Sequence, residues 1–157
     1  MKLSNIYIIK KIVHRDLKTS NLFIKYDSEE DLLKKNILKA KIKLAGFEIS
    51  TYLKKGESLN LVAGTTLYMA PEIRKNKLYN EKGDIWSLGV IFAELLSCDI
   101  KSIKRNIEGK YFPNISKEAN SFIQCMLKIE PEKRKSADEL TKHDFIVKDV
   151  KNFSFEN

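Results

Sequence analysis

The spacing of apolar residues divides the 157-residue chain into short strands followed by helices. Ile6 to Val13 is an apolar run with strand character, broken by Lys10 and Lys11, and Leu22–Phe23–Ile24 reads as a second short strand. Ala40–Lys41–Ile42–Lys43–Leu44 alternates apolar and charged side chains, the pattern of a half-buried strand. The polar stretch 25–39 lies between these two strands. Ser28, followed three residues later by Asp31, predicts a helix start there, with Leu32, Leu33 and Ile37 as its apolar side. That insertion reads either as a solvated loop with one helical turn or as a docking element. Residues 50–63 are polar and predict a loop. Beyond them the period turns helical: Ile85, Leu88, Phe92, Leu95 and Leu96 predict a helix over about 82–97. Ala119, Phe122, Ile123, Met126 and Leu127 predict another. Residues 148–157 form a short polar tail with Phe153 and Phe155.

Composition narrows the class without naming a function. Hydrophobic residues at 43% and charged residues at 32% suit one globular domain with a real core. No apolar run approaches the roughly 18 residues of a membrane span, and the N-terminal apolar patch is too short for a signal peptide. Cys98 and Cys125 lack partner spacing, so neither a disulfide nor a metal is expected, and a reducing compartment, the cytoplasm or the nucleus, fits. A net charge of +8 raises the question of nucleic acid or an anionic membrane. The lysines are scattered, however, and neither partner is expected.

The chemistry gathers in Ile12–Val13–His14–Arg15–Asp16–Leu17–Lys18–Thr19–Ser20–Asn21. A carboxylate, an ammonium and an amide at these intervals suit reactions on phosphate, which need a group to orient a hydroxyl, a cation for the γ-phosphate and an oxygen ligand for magnesium. The segment resembles the catalytic loop of eukaryotic protein kinases, H-R-D-L-x-x-x-N. Gly64–Thr65–Thr66–Leu67–Tyr68–Met69–Ala70–Pro71–Glu72 resembles the substrate-docking loop of that family and its A-P-E ending.

The resemblance implies a mainly helical fold with a few short strands around the catalytic loop: the C-terminal (large) lobe of a kinase over residues 1–147, with the N-terminal lobe absent. Its parts would be a catalytic loop at 14–21, an activation segment at 46–72, a central buried helix at about 82–97 and last helices at about 117–145, reaching through Ala137 to His143–Asp144–Phe145. It also implies roles. Asp16, Lys18 and Thr65 would be catalytic, with Thr65 hydrogen-bonded near Asp16, and Lys18 and Thr65 point to the Ser/Thr branch. Lys18, Asn21 and Phe23 would hold ATP, Phe23 as the floor under the adenine. Asn21 would ligate magnesium. His14 would brace the loop, and Arg15 would receive an activation-loop phosphate, for which Ser58 is the nearest candidate. Asp84 would bond the H-R-D backbone. Glu72 and Arg134 would form a buried ion pair.

Two departures matter. Where the family reads A-D-F-G, this chain reads Ala45–Gly46–Phe47–Glu48, losing the aspartate that grips magnesium while keeping the inward-packing Phe47. Loss of even ~4 kcal/mol of charge neutralisation slows turnover roughly a thousandfold. The Gly-rich loop, the lysine of V-A-I-K and its glutamate partner are also missing, and after Cys98 the chain jumps to Asp99–Ile100–Lys101 in place of G-x-x-P-F. Three readings follow: a pseudokinase lobe that binds substrate-like or scaffold proteins; a Ser/Thr kinase acting when another segment or chain supplies the N-lobe; and a non-functional gene fragment. Activity of this chain alone is not expected.

Overall fold

The computed structural model describes residues 12–54, 56–98 and 111–147. The expected strand from Ile6, the connection after Cys98 and the polar tail lie outside them, apart from the strand's last two residues. These form β1 (Ile12–Val13), which pairs antiparallel with β4 (Thr51–Tyr52). β2 (Leu22–Lys25) pairs antiparallel with β3 (Lys41–Leu44), with Leu22 opposite Leu44 and Lys25 opposite Lys41. Alternation thus produced a two-stranded ribbon, entered through a 3-10 turn at Thr19–Asn21. The insertion between its strands holds α1 (Glu29–Leu33), capped by the Ser28 hydroxyl on the Asp31 amide. Its apolar side finds no core: Leu32, Leu33 and Ile37 are all exposed.

The remainder is helical. A short α2 (Pro71–Arg74) begins with proline at its first position, where no amide is needed. The central α3 (Lys82–Ser97) buries Ile85, Trp86, Val90, Ile91 and Ala93. Its burial runs nearly round the helix through the first three turns, so the single stripe expected from sequence is too narrow. The expected Leu95 and Leu96 lie in the last turn, which emerges into solvent, and Leu95 is 58% exposed. α4 (Lys117–Met126) buries Ala119, Phe122, Ile123 and Met126. It crosses close to α3 because Gly89 carries no side chain; a Cβ there would sit 2.9 Å from the Met126 Cβ. A 3-10 turn at Pro131–Lys133 leads to α5 (Ala137–Leu140), opened by a full capping box between Ser136 and Glu139. The chain turns at residues 141–143 and takes one more helical turn at 144–147.

One core cluster gathers Trp86, Val90, Ile91, Ile123 and Leu127 with Tyr68, Ala70, Ile73 and Tyr79 from the docking-loop side. A second joins Ile85, Phe122, Met126, Leu140 and Ile146. Each aliphatic side chain fully buried here contributes about 1.5–3 kcal/mol. The consequence for function is placement: α3 is the post from which the loops at 14–21 and 64–72 hang.

Candidate functional site

The loop 14–21 is held from below by α3. The half-buried Asp84, in its first turn, accepts the His14 amide at 2.6 Å and the Arg15 amide at 3.0 Å. Burial pushes the Asp84 carboxyl above its ordinary pKa, against the opposing pull of those two amides. Arg15 takes a positive φ of 68°, a conformation an arginine holds only when its surroundings fix it. Its Nε donates to the Ile49 carbonyl, and the Ser50 hydroxyl donates to the His14 carbonyl. His14 is buried; its Nε2 lies 3.0 Å from the Ala45 carbonyl while its Nδ1 accepts the Asp16 amide at 3.3 Å. With Nδ1 facing the Asp16 amide, Nε2 is the nitrogen placed to donate to the Ala45 carbonyl.

This backbone path delivers Asp16 to the surface beside Lys18 and Thr65. Lys18 Nζ reaches Asp16 Oδ2 at 2.7 Å and Thr65 Oγ1 at 3.1 Å, and the Thr65 hydroxyl donates to Asp16 Oδ1 at 2.7 Å. Burial opposes ionisation of Asp16. The Lys18 and Thr65 hydrogen bonds, with the Lys18 charge, outweigh it and hold the carboxyl below its usual value. Asn21 Nδ2 donates to the Asp16 carbonyl at 2.8 Å. The result is an ionised carboxylate of fixed orientation with an ammonium alongside, a group that can accept a hydroxyl proton next to a charge that can face a phosphate.

The other expected residues fall into two sets. Glu72 and Arg134 meet in a bidentate buried pair, both contacts at 2.7 Å. Phe23 presents its ring to solvent, 56% exposed, on the ribbon above the loop's exit. Ser58 is exposed, and Arg15 Nε donates to the Ile49 carbonyl. Phe47, expected to pack inward, is 49% exposed and lies against the His14 ring, with centroids 4.7 Å apart.

Sequence reasoning missed a second polar chain. The Tyr68 hydroxyl donates to Glu94 Oε2 at 2.6 Å and lies 3.0 Å from Thr19 Oγ1, while the Ser87 hydroxyl donates to the Tyr68 carbonyl at 2.8 Å. Burial and the Glu94 charge push the Tyr68 hydroxyl above its ordinary pKa. The signal was a lone acid, Glu94, inside the apolar run from Val90 to Leu96.

Position 46 is where the magnesium question is decided. Gly46 has φ +82°, and a Cβ placed on it would collide with the Asn21 side-chain amide. Magnesium takes octahedral oxygen ligands, usually including one or two carboxylates. Asp16 is engaged by Lys18 and Thr65, Glu48 is exposed, and position 46 has no side chain. Among the described residues no three of His, Cys, Asp and Glu come together as a metal site. The Asn21 amide oxygen alone is a poor substitute, and the donor set does not fit magnesium.

Comparison with known proteins agrees with this architecture. The family model described as protein kinase domain matches residues 3–146. Serine/threonine-protein kinase pakG of Dictyostelium discoideum is 40% identical over 156 residues, covering 88% of this chain and 12% of that protein. Serine/threonine-protein kinase dst2 of the same organism is 33% identical, covering 87% and 12%. Calcium-dependent protein kinase SK5 of Glycine max is 35% identical, covering 88% and 28%. The chain therefore spans 12% to 28% of the length of these relatives. With a helical body, short strands and a match over nearly its whole length, the chain belongs to the protein kinase family.

Proposed function

We propose that this chain is the C-terminal lobe of a Ser/Thr-type kinase domain and that it acts by binding proteins, without magnesium-dependent phosphotransfer. The observation that carries this reading is Gly46. The position that bears the metal-gripping carboxylate in the family has no side chain here, its φ is +82°, and the Asn21 amide stands in the way of a Cβ. The docking surface is the groove beside Gly64–Glu72, whose backbone is tied down through Tyr68 and the Glu72–Arg134 pair. Its partner is a substrate-like or scaffold protein segment.

The test is thermal unfolding of the chain with ATP, with and without magnesium. A ligand at a hundred times its Kd adds about 2.7 kcal/mol, or roughly 5–10 °C for a chain of this size. The expected result is no difference between ATP and Mg·ATP. A magnesium-dependent rise of that size overturns the proposal.

A second reading has its own support in the preserved Asp16–Lys18–Thr65 network. In it the chain forms part of a Ser/Thr kinase whose N-lobe comes from elsewhere. A substrate hydroxyl attacks the γ-phosphorus of ATP, its proton passes to Asp16, ADP leaves, and Lys18 offsets phosphate charge. Asp16-dependent transfer to Ser/Thr peptides by an N-lobe-extended protein would favour it over the first.

A further inference from the structure

The insertion 25–39 is ordered from within yet buries none of its aliphatic side chains. Asp31 is its hub: its carboxylate accepts the Ser28 hydroxyl at 2.9 Å and faces Lys39 Nζ at 3.3 Å, while its carbonyl accepts the Asn36 amide at 2.9 Å. The Ser28 hydroxyl and the Lys39 charge hold the Asp31 carboxyl below its ordinary value. α1 and the 3-10 turn Ile37–Lys39 are thus stitched into one small unit. That unit exposes Leu32 (55%), Leu33 (82%), Ile37 (53%) and Leu38 (46%). A merely solvated loop of this length needs no ordered scaffold and no four aliphatics; clustered exposed aliphatics on an ordered element mark an interaction surface.

Charge on the same stretch says what covers it. Residues 22–44 hold six lysines and four carboxylates. Three of those carboxylates are consumed internally, by Lys34–Glu30, Lys39–Asp31 and Lys41–Asp27. Lys25, Lys35 and Lys43 have no ion-pair partner among the described residues. The β2–β3 register places Phe23, Lys25, Lys41 and Lys43 on one ribbon face, since directly opposed residues share a face. An aliphatic patch on a unit flanked by unpaired cations is complementary to leucines on a segment rimmed by acids.

We infer that the 25–39 insertion and its flanking ribbon form a docking surface for an acidic amphipathic protein segment. This inference does not depend on whether the catalytic site transfers phosphate.

The experiment uses the full chain and a fluorescein-labelled synthetic helix with leucines at i, i+3, i+4 and i+7 and glutamates elsewhere, read by anisotropy. Saturable binding is expected, weakened at least tenfold by Leu33→Asp or Ile37→Asp, several-fold by Lys35→Glu, and progressively by salt. Leu33 is nearly free of contacts, so an unchanged melting temperature certifies that its variant folds. The inference is overturned by any of four results: no saturable binding; equal binding by the Leu33→Asp protein; equal binding of the peptide with lysines in place of glutamates; or, in parallel assays, tighter Leu33-dependent capture by phosphatidylserine vesicles. Self-association of the chain that Leu33→Asp abolishes would assign the patch to a second copy and overturn it equally.

Discussion

Around Arg134 every polar group has a partner; around Gly46 the group that chemistry would require is missing. Arg134 Nε donates to the Lys128 carbonyl, Nη1 to Glu72 and the Lys82 carbonyl, and Nη2 to Glu72 and the Ile129 carbonyl, so all five of its N–H groups are used. Its guanidinium also lies 5.1 Å from the Trp86 ring centre. At Gly46 there is only backbone, and the amide beside it is turned onto the Asp16 carbonyl. The difference teaches which constraints fold and which serve catalysis. An unmatched charge in the base costs stability of the whole chain, whereas a missing carboxylate at the rim costs the fold nothing.

The sharpest way to break this contrast is Arg134→Ala. It leaves the buried Glu72 carboxylate without its partner and strips three carbonyls of a donor. Orphaning one member of a buried pair costs about 3–5 kcal/mol. Urea unfolding should show that loss; a change under 1 kcal/mol would mean that the base is not the stabilising region. Next in size is Asp84→Ala, which removes the acceptor of the His14 and Arg15 amides. The expected loss is about 2–4 kcal/mol. Hydrogen exchange of those two amides should accelerate beyond that of α4, because the loop loosens before the core does. Uniform acceleration would instead make Asp84 part of the base.

How far this contrast was readable from sequence follows the same division. Asp84, Glu72 and Arg134 stand in strings that resemble those of the kinase family, and only that resemblance made their contacts legible, because Glu72–Arg134, Asp84–His14 and Asp84–Arg15 join residues 62, 70 and 69 positions apart. Helical spacing located α3 and α4, and alternation located β3. Side chains whose burial depends on what lies opposite were not readable. Phe47 and Leu95 are apolar at the right intervals, but exposure is set by neighbours far along the chain. Leu32, Leu33 and Ile37 have a helix to sit on and no core to face. The Tyr68–Glu94–Thr19 chain was hidden because it joins three segments whose proximity only the fold creates.

The smallest expected effect tests whether burial, rather than polar satisfaction alone, makes the base stabilising. Glu139 is well bonded: its Oε2 accepts the Ser136 amide at 2.8 Å and the Ser136 hydroxyl at 2.9 Å, and Lys135 Nζ lies 3.4 Å from Oε1. Those bonds, the Ser136 amide foremost, lower its carboxyl to about 2 although it is exposed. The folded value is below the unfolded one, so the native state binds fewer protons between them. The stabilisation from the ionised cap is therefore complete above about pH 4.5 and fades as pH falls toward 2. An NMR titration should place the Glu139 midpoint near 2. Ser136→Ala removes the hydroxyl but keeps the amide, so it should move the midpoint only part of the way up toward the ordinary glutamate value, with a small fall in melting temperature at neutral pH. A normal midpoint in the native chain would show that the capping box is not formed in solution. A large fall in melting temperature would show that an exposed, fully bonded acid can matter as much as the buried one, and would remove burial as the reason Arg134 and Gly46 differ.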